Sequence, residues 1–240
     1  MEIALAAGFM KSVAAVPQRR TLRTLKNAAR GCRACPLWRR ATQTVFGEGS
    51  ATADLILIGE QPGNDEDLQG RPFVGPAGRV LAKALEAAGI DRNRTYVTNV
   101  VKHFKWEPRG KRRIHARPRA TEIAACRPWL DAEIRLLHPR VVVCLGATAA
   151  KTLLGASFKV SVERGRFVPS MLAPLVTATV HPSSILREAD SKARRQAMRA
   201  FVEDLKKIAD KLNVPPNPAL RLHSNTRAQS KGRTRGAARI

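Results

Sequence analysis

The side chains best suited to chemistry fall into two groups. The first is thiol-rich. Cys32 and Cys35 form a C-x-x-C pair, Cys126 opens Cys126-Arg127-Pro128-Trp129-Leu130, and Cys144 lies in an apolar run. C-x-x-C is shared by redox pairs and metal sites. Four cysteines in 240 residues are too few for a disulfide framework and suggest a reduced, intracellular setting with metal ligation. Cys144, inside an expected buried strand, reads as core packing. His103 then stands as a fourth ligand beside Cys32, Cys35 and Cys126. Three thiolates and an imidazole suit zinc or an iron–sulfur cluster, and spacing does not choose between them.

The second group surrounds residues 59–79, GEQPGNDEDLQGRPFVGPAGR, with Glu60, Gln61, Asp65, Glu66, Asp67 and Phe73. Asp65, Glu66 and Asp67 have no matching oxygen ligands elsewhere, so loop solvation and ion pairs with arginines account for them better than a metal. This glycine- and proline-rich loop follows the apolar run Leu55–Ile58 and precedes a helical pattern from Gly78 to Ala88. A loop so placed is where an α/β protein builds its site.

The elements that must hold these groups alternate. Strands are expected at 54–58, 96–101, 140–145 and 175–180, with helices at 21–30, 78–88, 121–137 (Thr121 as cap), 146–154 and 191–212, a further helix after Pro36, and a hairpin over 159–168. The alternation predicts a three-layer αβα fold around a central four-stranded parallel sheet. Asn99 and His181-Pro182-Ser183-Ser184 then reach the same carboxyl edge as the loop after Ile58. An irregular basic loop from Lys102 onward, carrying His115, can fold over that crevice. Residues 1–20 read as a loose arm, 21–212 as the folded domain, and 213–240 as a basic, disordered tail.

The chain carries 43 Lys and Arg against 19 Asp and Glu, a formal charge of +24. So lopsided a balance points to a polyanion, nucleic acid before an anionic membrane surface. No apolar run approaches the ~20 residues that span a bilayer, and the start lacks the basic region of a secretory signal. These features suggest a cytoplasmic, nucleoid-associated protein, a monomer by default, with no obligate protein partner.

Taken together, Cys32-x-x-Cys35, GEQPG at 59–63, GRPFVGPAG at 70–78, Tyr96-Val97-Thr98-Asn99, ACRPWL at 125–130, LGATAAKTLLG at 145–155 and His181-Pro182-Ser183-Ser184 resemble the iron–sulfur branch of the uracil-DNA glycosylase superfamily. Gln61 and the loop Lys111-Arg112-Arg113-Ile114-His115 resemble its UdgX type. The resemblance implies a [4Fe–4S] cluster on Cys32, Cys35, His103 and Cys126, with Cys144 in reserve. It implies uracil-containing DNA, single-stranded for preference, as partner. Gly59, Phe73, Asn99, Ser183 and Ser184 would form the base pocket. Phe73 would stack on the base, and the Asn99 amide would accept from uracil N3–H and donate to O4. His181 would stabilise the leaving base. His115 would attack C1′ of the sugar and stay attached, with Glu60 and Gln61 assisting. Lys111, Arg112 and Arg113 would contact phosphate or hold the loop. A water-using glycosylase and a non-catalytic, metal-containing DNA-binding module are the alternatives.

Overall fold

The computed structural model describes residues 13–18 and 21–213; the expectations for the first residues and the basic tail fall almost wholly outside them. In chain order the elements are α1 (Leu22–Ala29), β1 (Glu48–Gly49), β2 (Leu55–Gly59), α2 (Asn64–Gln69), α3 (Pro76–Ala87), β3 (Thr95–Asn99), β4 (Trp106–Arg109), β5 (Arg112–His115), α4 (Ala120–Leu137), β6 (Val141–Leu145), α5 (Ala147–Leu154), α6 (Val160–Glu163), β7 (Leu175–Thr179), α7 (Pro182–Leu186) and α8 (Ser191–Asn213). Short 3-10 helices span Pro36–Arg39 and Arg92–Arg94.

The principal sheet has the order β1-β3-β2-β6-β7. β3, β2, β6 and β7 are parallel, as expected. The two-residue β1 adds an antiparallel edge, too short to show a periodicity. Side chains alternate across a strand, and both faces are covered. Ile56, Ile58, Val142 and Cys144 join Leu25, Trp129 and Leu130 in one apolar layer. Leu55, Leu57, Val141 and Val143 join Leu81, Leu85, Phe201 and Leu205 in the other. Burial on both faces explains why these strands read as unbroken apolar runs.

Four local expectations are corrected. The irregular basic loop is a hairpin, β4 on β5, with Trp106 opposite His115; its arginines hide any alternation of apolar side chains. The stretch 159–168 holds the single helical turn α6, not a hairpin, although Val168 bridges Val176. The acidic residues after Asn64 lie on α2, with Glu66 and Asp67 buried. Asp67 does pair with an arginine, Arg113. Finally, Arg119 rather than Thr121 caps α4, its N–H donating to Glu122 Oε2 at 2.6 Å. At the other end of the chain, Ala14 is buried and its N–H donates to Ala125 O, so this part of the first 20 residues packs on α4.

A buried ion pair lies just past the carboxyl end of β3. Lys102 Nζ contacts Glu133 Oε2 at 2.5 Å, with side-chain exposures of 1% and 0%. Lys102 Nζ also donates to Thr98 Oγ1 and to the Asn99 carbonyl. Glu133 accepts from Gly47 N–H, the Tyr96 hydroxyl and Thr98. With each proton and lone pair engaged, the pair tolerates its desolvation. Removing one partner strands the other charge. Lys102→Met is therefore expected to destabilise the protein by about 3–5 kcal/mol, whereas a Lys102→Met/Glu133→Met double variant recovers much of that loss; urea unfolding measures both.

Candidate active site

The carboxyl edge of the sheet opens into a cavity of about 480 Å³ lined by Glu60, Phe73, Asn99, His115, Thr148 and His181, among others. Four strand ends build it. The parallel register sets Gly59 beside Asn99, and a Cβ on Gly59 would run into Asn99 Oδ1 and lie 2.9 Å from Phe73 Cζ. Glycine thus lets the amide and the ring converge. Phe73 is held with φ at 56°, a conformation uncommon for a bulky residue and a mark of a constrained site. Gly146 (φ +88°) packs so closely under His181 that a Cβ would lie 2.9 Å from His181 Cβ.

Asn99 is buried, yet among the described residues its side-chain amide makes no hydrogen bond. A carboxamide left free at a cavity wall can read a ligand with one donor face and one acceptor face. His181 is oriented differently. Its Nδ1 accepts from Ser183 N–H at 3.2 Å and lies 2.8 Å from Ser183 Oγ. Ser183 Oγ in turn accepts from Arg187 at 2.9 Å. Nδ1 is therefore the unprotonated nitrogen, and a neutral ring carries its proton on Nε2. Burial first, then His115 and Arg187, push His181 down to about 4, so the ring is neutral near pH 7. Ser184 is turned away, its hydroxyl donating to the His181 carbonyl at 2.8 Å.

His115 enters from the hairpin, half-exposed, with Nε2 3.5 Å from Glu60 Oε1. Burial holds its imidazole below the ordinary range; Glu60 opposes that shift and Arg187 adds to it. Glu60 Oε2 accepts from the Thr148 hydroxyl at the start of α5. Gln61 is buried and grips the hairpin at its base. Its Nε2 donates to the carbonyls of Lys105 (3.0 Å) and Ala116 (3.1 Å), and its Oε1 accepts from Lys105 N–H (3.2 Å). The expected role of Gln61 at the sugar thus becomes one of holding the hairpin, because both ends of its amide are engaged there.

The basic run of the hairpin divides. Arg113 turns inward, to Asp67 Oδ2 (2.6 Å) and Asn64 Oδ1 (2.8 Å), which is loop-holding rather than phosphate contact. Lys111 and Arg112 are exposed. Sequence reasoning missed Thr148, Arg117 and Arg187, which also line the cavity. Thr148 lies inside the motif LGATAAKTLLG, Arg117 two residues after His115 and Arg187 three after Ser184, all near strand or hairpin ends, so the rule that sites sit at carboxyl edges was the signal for them.

The thiols gather elsewhere, on the α1–α4 side. Cys32, Cys35 and Cys126 act on one another electrostatically, and burial pushes Cys126 up to about 12. Trp129 Nε1–H donates to Cys32 Sγ at 3.3 Å and Lys102 N–H to Cys126 Sγ at 3.2 Å. Thiols that already receive N–H donors match the surroundings of a sulfur-ligated centre. Among the described residues no three ligand-type side chains converge at metal-holding distance. His103 is buried, and its Nε2 lies 2.9 Å from Thr44 Oγ1. Burial pushes it down to about 4, leaving a neutral ring whose Nδ1 has no protein partner among the described residues. Cys144 lies apart in β6, fully buried, consistent with core packing.

Comparison with known proteins agrees with this arrangement. The uracil DNA glycosylase superfamily matches residues 46–206. Type-4 uracil-DNA glycosylases are similar over most of the chain. That of Thermotoga maritima is 38% identical over 73% of this chain and 86% of its own length. That of Sulfurisphaera tokodaii is 32% identical over 81% and 86%, and that of Archaeoglobus fulgidus 34% over 75% and 87%. With the sheet-edge cavity, the free Asn99 amide and the neutral His181 already in place, these matches mean that the chain belongs to the uracil DNA glycosylase superfamily and is a DNA N-glycosylase.

Proposed function

We propose that the protein excises uracil from DNA and becomes covalently joined to the deoxyribose through His115. The observation that carries this reading is the His115 imidazole beside the Glu60 carboxylate, at 3.5 Å, on a hairpin tied to the pocket loop. A base inside a duplex is out of reach, so the nucleotide must be flipped or met in a single strand. In the cavity Phe73 forms the flat wall. Asn99 accepts from uracil N3–H and donates to O4, a pattern reversed in cytosine. His181 donates its Nε2–H toward O2, where charge accumulates as the N-glycosidic bond stretches; a neutral donor fixed in place serves there as in an oxyanion hole.

The sugar then carries positive charge at C1′. The lone pair of the neutral His115 ring attacks C1′ as the bond to uracil N1 breaks. The proton lost from the imidazole passes to Glu60 and on to the departing uracil anion, so one C–N bond replaces another and uracil leaves neutral. An alkylated imidazole is a poor leaving group, and the adduct persists. A water-using reaction in the same pocket is the alternative outcome.

A [4Fe–4S] cluster on Cys32, Cys35 and Cys126, with the His103 ring as fourth ligand, fits the donor chemistry of the thiol site. When bound it supplies a structural crosslink between the segment before β1 and α4, not redox chemistry on the substrate. Purified protein is expected to be brown, and stripping the iron with a chelator is expected to lower the melting temperature; a colourless, zinc-loaded protein contradicts the assignment.

Three outcomes follow for DNA chemistry. After incubation with uracil-containing single-stranded DNA, a denaturing gel is expected to show a heat-stable shifted band that His115→Ser abolishes; alkali-sensitive sites without that band would indicate water attack. The acid limb of adduct formation is expected to lie below pH 6.5, the ordinary pKa of imidazole. The sign follows from the depressed pKa of His115: the reactive neutral form persists as pH falls until that lower value is crossed. Gln61→Leu is expected to slow crosslinking at saturating DNA by about 10²-fold, the usual cost of misplacing a reacting group by about 1 Å.

A further inference from the structure

We propose that Arg33, Arg39 and Arg40, which lie over the rings of Trp38 and Trp106, form a phosphate-binding track for the DNA strand that flanks the reacting nucleotide. The proposal rests on the reading that DNA is the substrate and assigns where its backbone runs. Of the hairpin's own basic run, Arg113 is drawn inward to Asp67 and Asn64 and is not part of that surface.

The track starts next to the nucleophile. Trp106 stands directly across the hairpin from His115. Its Nε1–H donates to the Arg40 carbonyl at 2.9 Å. The Arg40 guanidinium carbon lies 4.4 Å from the Trp106 ring centre, and Arg113 lies 5.5 Å from it. The chain runs back from Arg40 through Arg39 to Trp38. Over Trp38 lie Arg39 at 5.8 Å and Arg33 at 4.7 Å. A continuous surface of two indoles and three exposed guanidiniums thus leads away from His115 along the 3-10 helix Pro36–Arg39.

Two features suit it to phosphate. First, among the described residues none of Arg33, Arg39 and Arg40 has an ion-pair partner. Arg71, Arg94, Arg113, Arg127 and Arg164 meet carboxylates; these three, like the exposed Arg112, stay available, and unlike it each of them lies over an indole. Second, a guanidinium resting on an indole loses much of its rotational freedom while its N–H edge still faces outward. That lowers the entropic cost of gripping a planar anion and suits repeated phosphate contacts, which position a strand without reading its sequence.

The test uses the purified full-length protein and a uracil-free single-stranded oligonucleotide, so that binding is read without reaction. Fluorescence anisotropy is followed over a salt series for wild type, for Arg33→Gln/Arg39→Gln/Arg40→Gln, and for the charge-matched control Lys83→Gln/Lys206→Gln/Lys211→Gln. Two of the control positions lie toward the end of α8 that Arg140 ties back to the start of β6, across the sheet from the cavity. Loss of three contacts is expected to reduce the slope of log K against log salt by about 2, at roughly 0.7 per phosphate on a single strand. It is also expected to weaken binding about tenfold near physiological salt, while the control changes much less. Equal changes in track and control variants, or no change in the track variant, overturn the proposal. If wild type crosslinks uracil-containing DNA yet the track variant keeps its slope, the track alone is wrong; if wild type neither binds nor reacts, the track falls together with the proposed function.

Discussion

The carboxamide of Gln61 joins two parts of the protein that the chain separates by more than 40 residues. It leaves the sheet one residue after Glu60, on the loop that shapes the base pocket. It then forms three hydrogen bonds with the backbone at the base of the β4–β5 hairpin, at Lys105 and Ala116. A hairpin of two four-residue strands has little stability of its own. Its position is set by what it is tied to: Gln61 at the base, the Arg113–Asp67 ion pair along one face, and Lys105–Glu122 against α4. Because the first tie comes from the pocket loop itself, the geometry between base and His115 is fixed locally.

The second constraint is protonation. Two histidines share one cavity with Arg187 nearby, and both are held neutral, His181 down to about 4 and His115 in the same direction. A protonated His115 would have no lone pair with which to attack. A neutral His181 with Nδ1 occupied by Ser183 must present a donor to the pocket. Burial is the largest cause of both shifts, and Arg187 strengthens each of them. The carboxylate of Glu60 is the one nearby charge that acts the other way, and in the proposed reaction it is also the group placed to take the proton from His115.

Much of this was legible in the sequence. The strands expected at 54–58, 96–101, 140–145 and 175–180 form the parallel sheet as β2, β3, β6 and β7, and their carboxyl ends form the cavity. Phe73, Asn99, His115 and His181 all line it. What could not be read was orientation. Arg112 and Arg113 are the same residue type one position apart, yet one faces solvent and the other faces Asp67, because alternation along β5 matters more than composition. Gln61 looked like a catalytic neighbour of Glu60, and only the fold shows its amide engaged with the hairpin. The hairpin itself was hidden, since its strands carry arginines where a strand pattern would show alternating apolar residues. The Lys102–Glu133 pair was equally invisible, its partners being 31 residues apart and of types normally found on surfaces.

The central claim is that the imidazole of His115, not water, takes the sugar. Mass spectrometry of the intact product with a defined uracil-containing oligonucleotide tests it most directly. A covalent product has the mass of protein plus oligonucleotide minus one uracil, with no water added, and fragmentation of the digested adduct places the deoxyribose on His115. Free protein at its starting mass, together with an oligonucleotide that has lost uracil and gained water, would contradict the account.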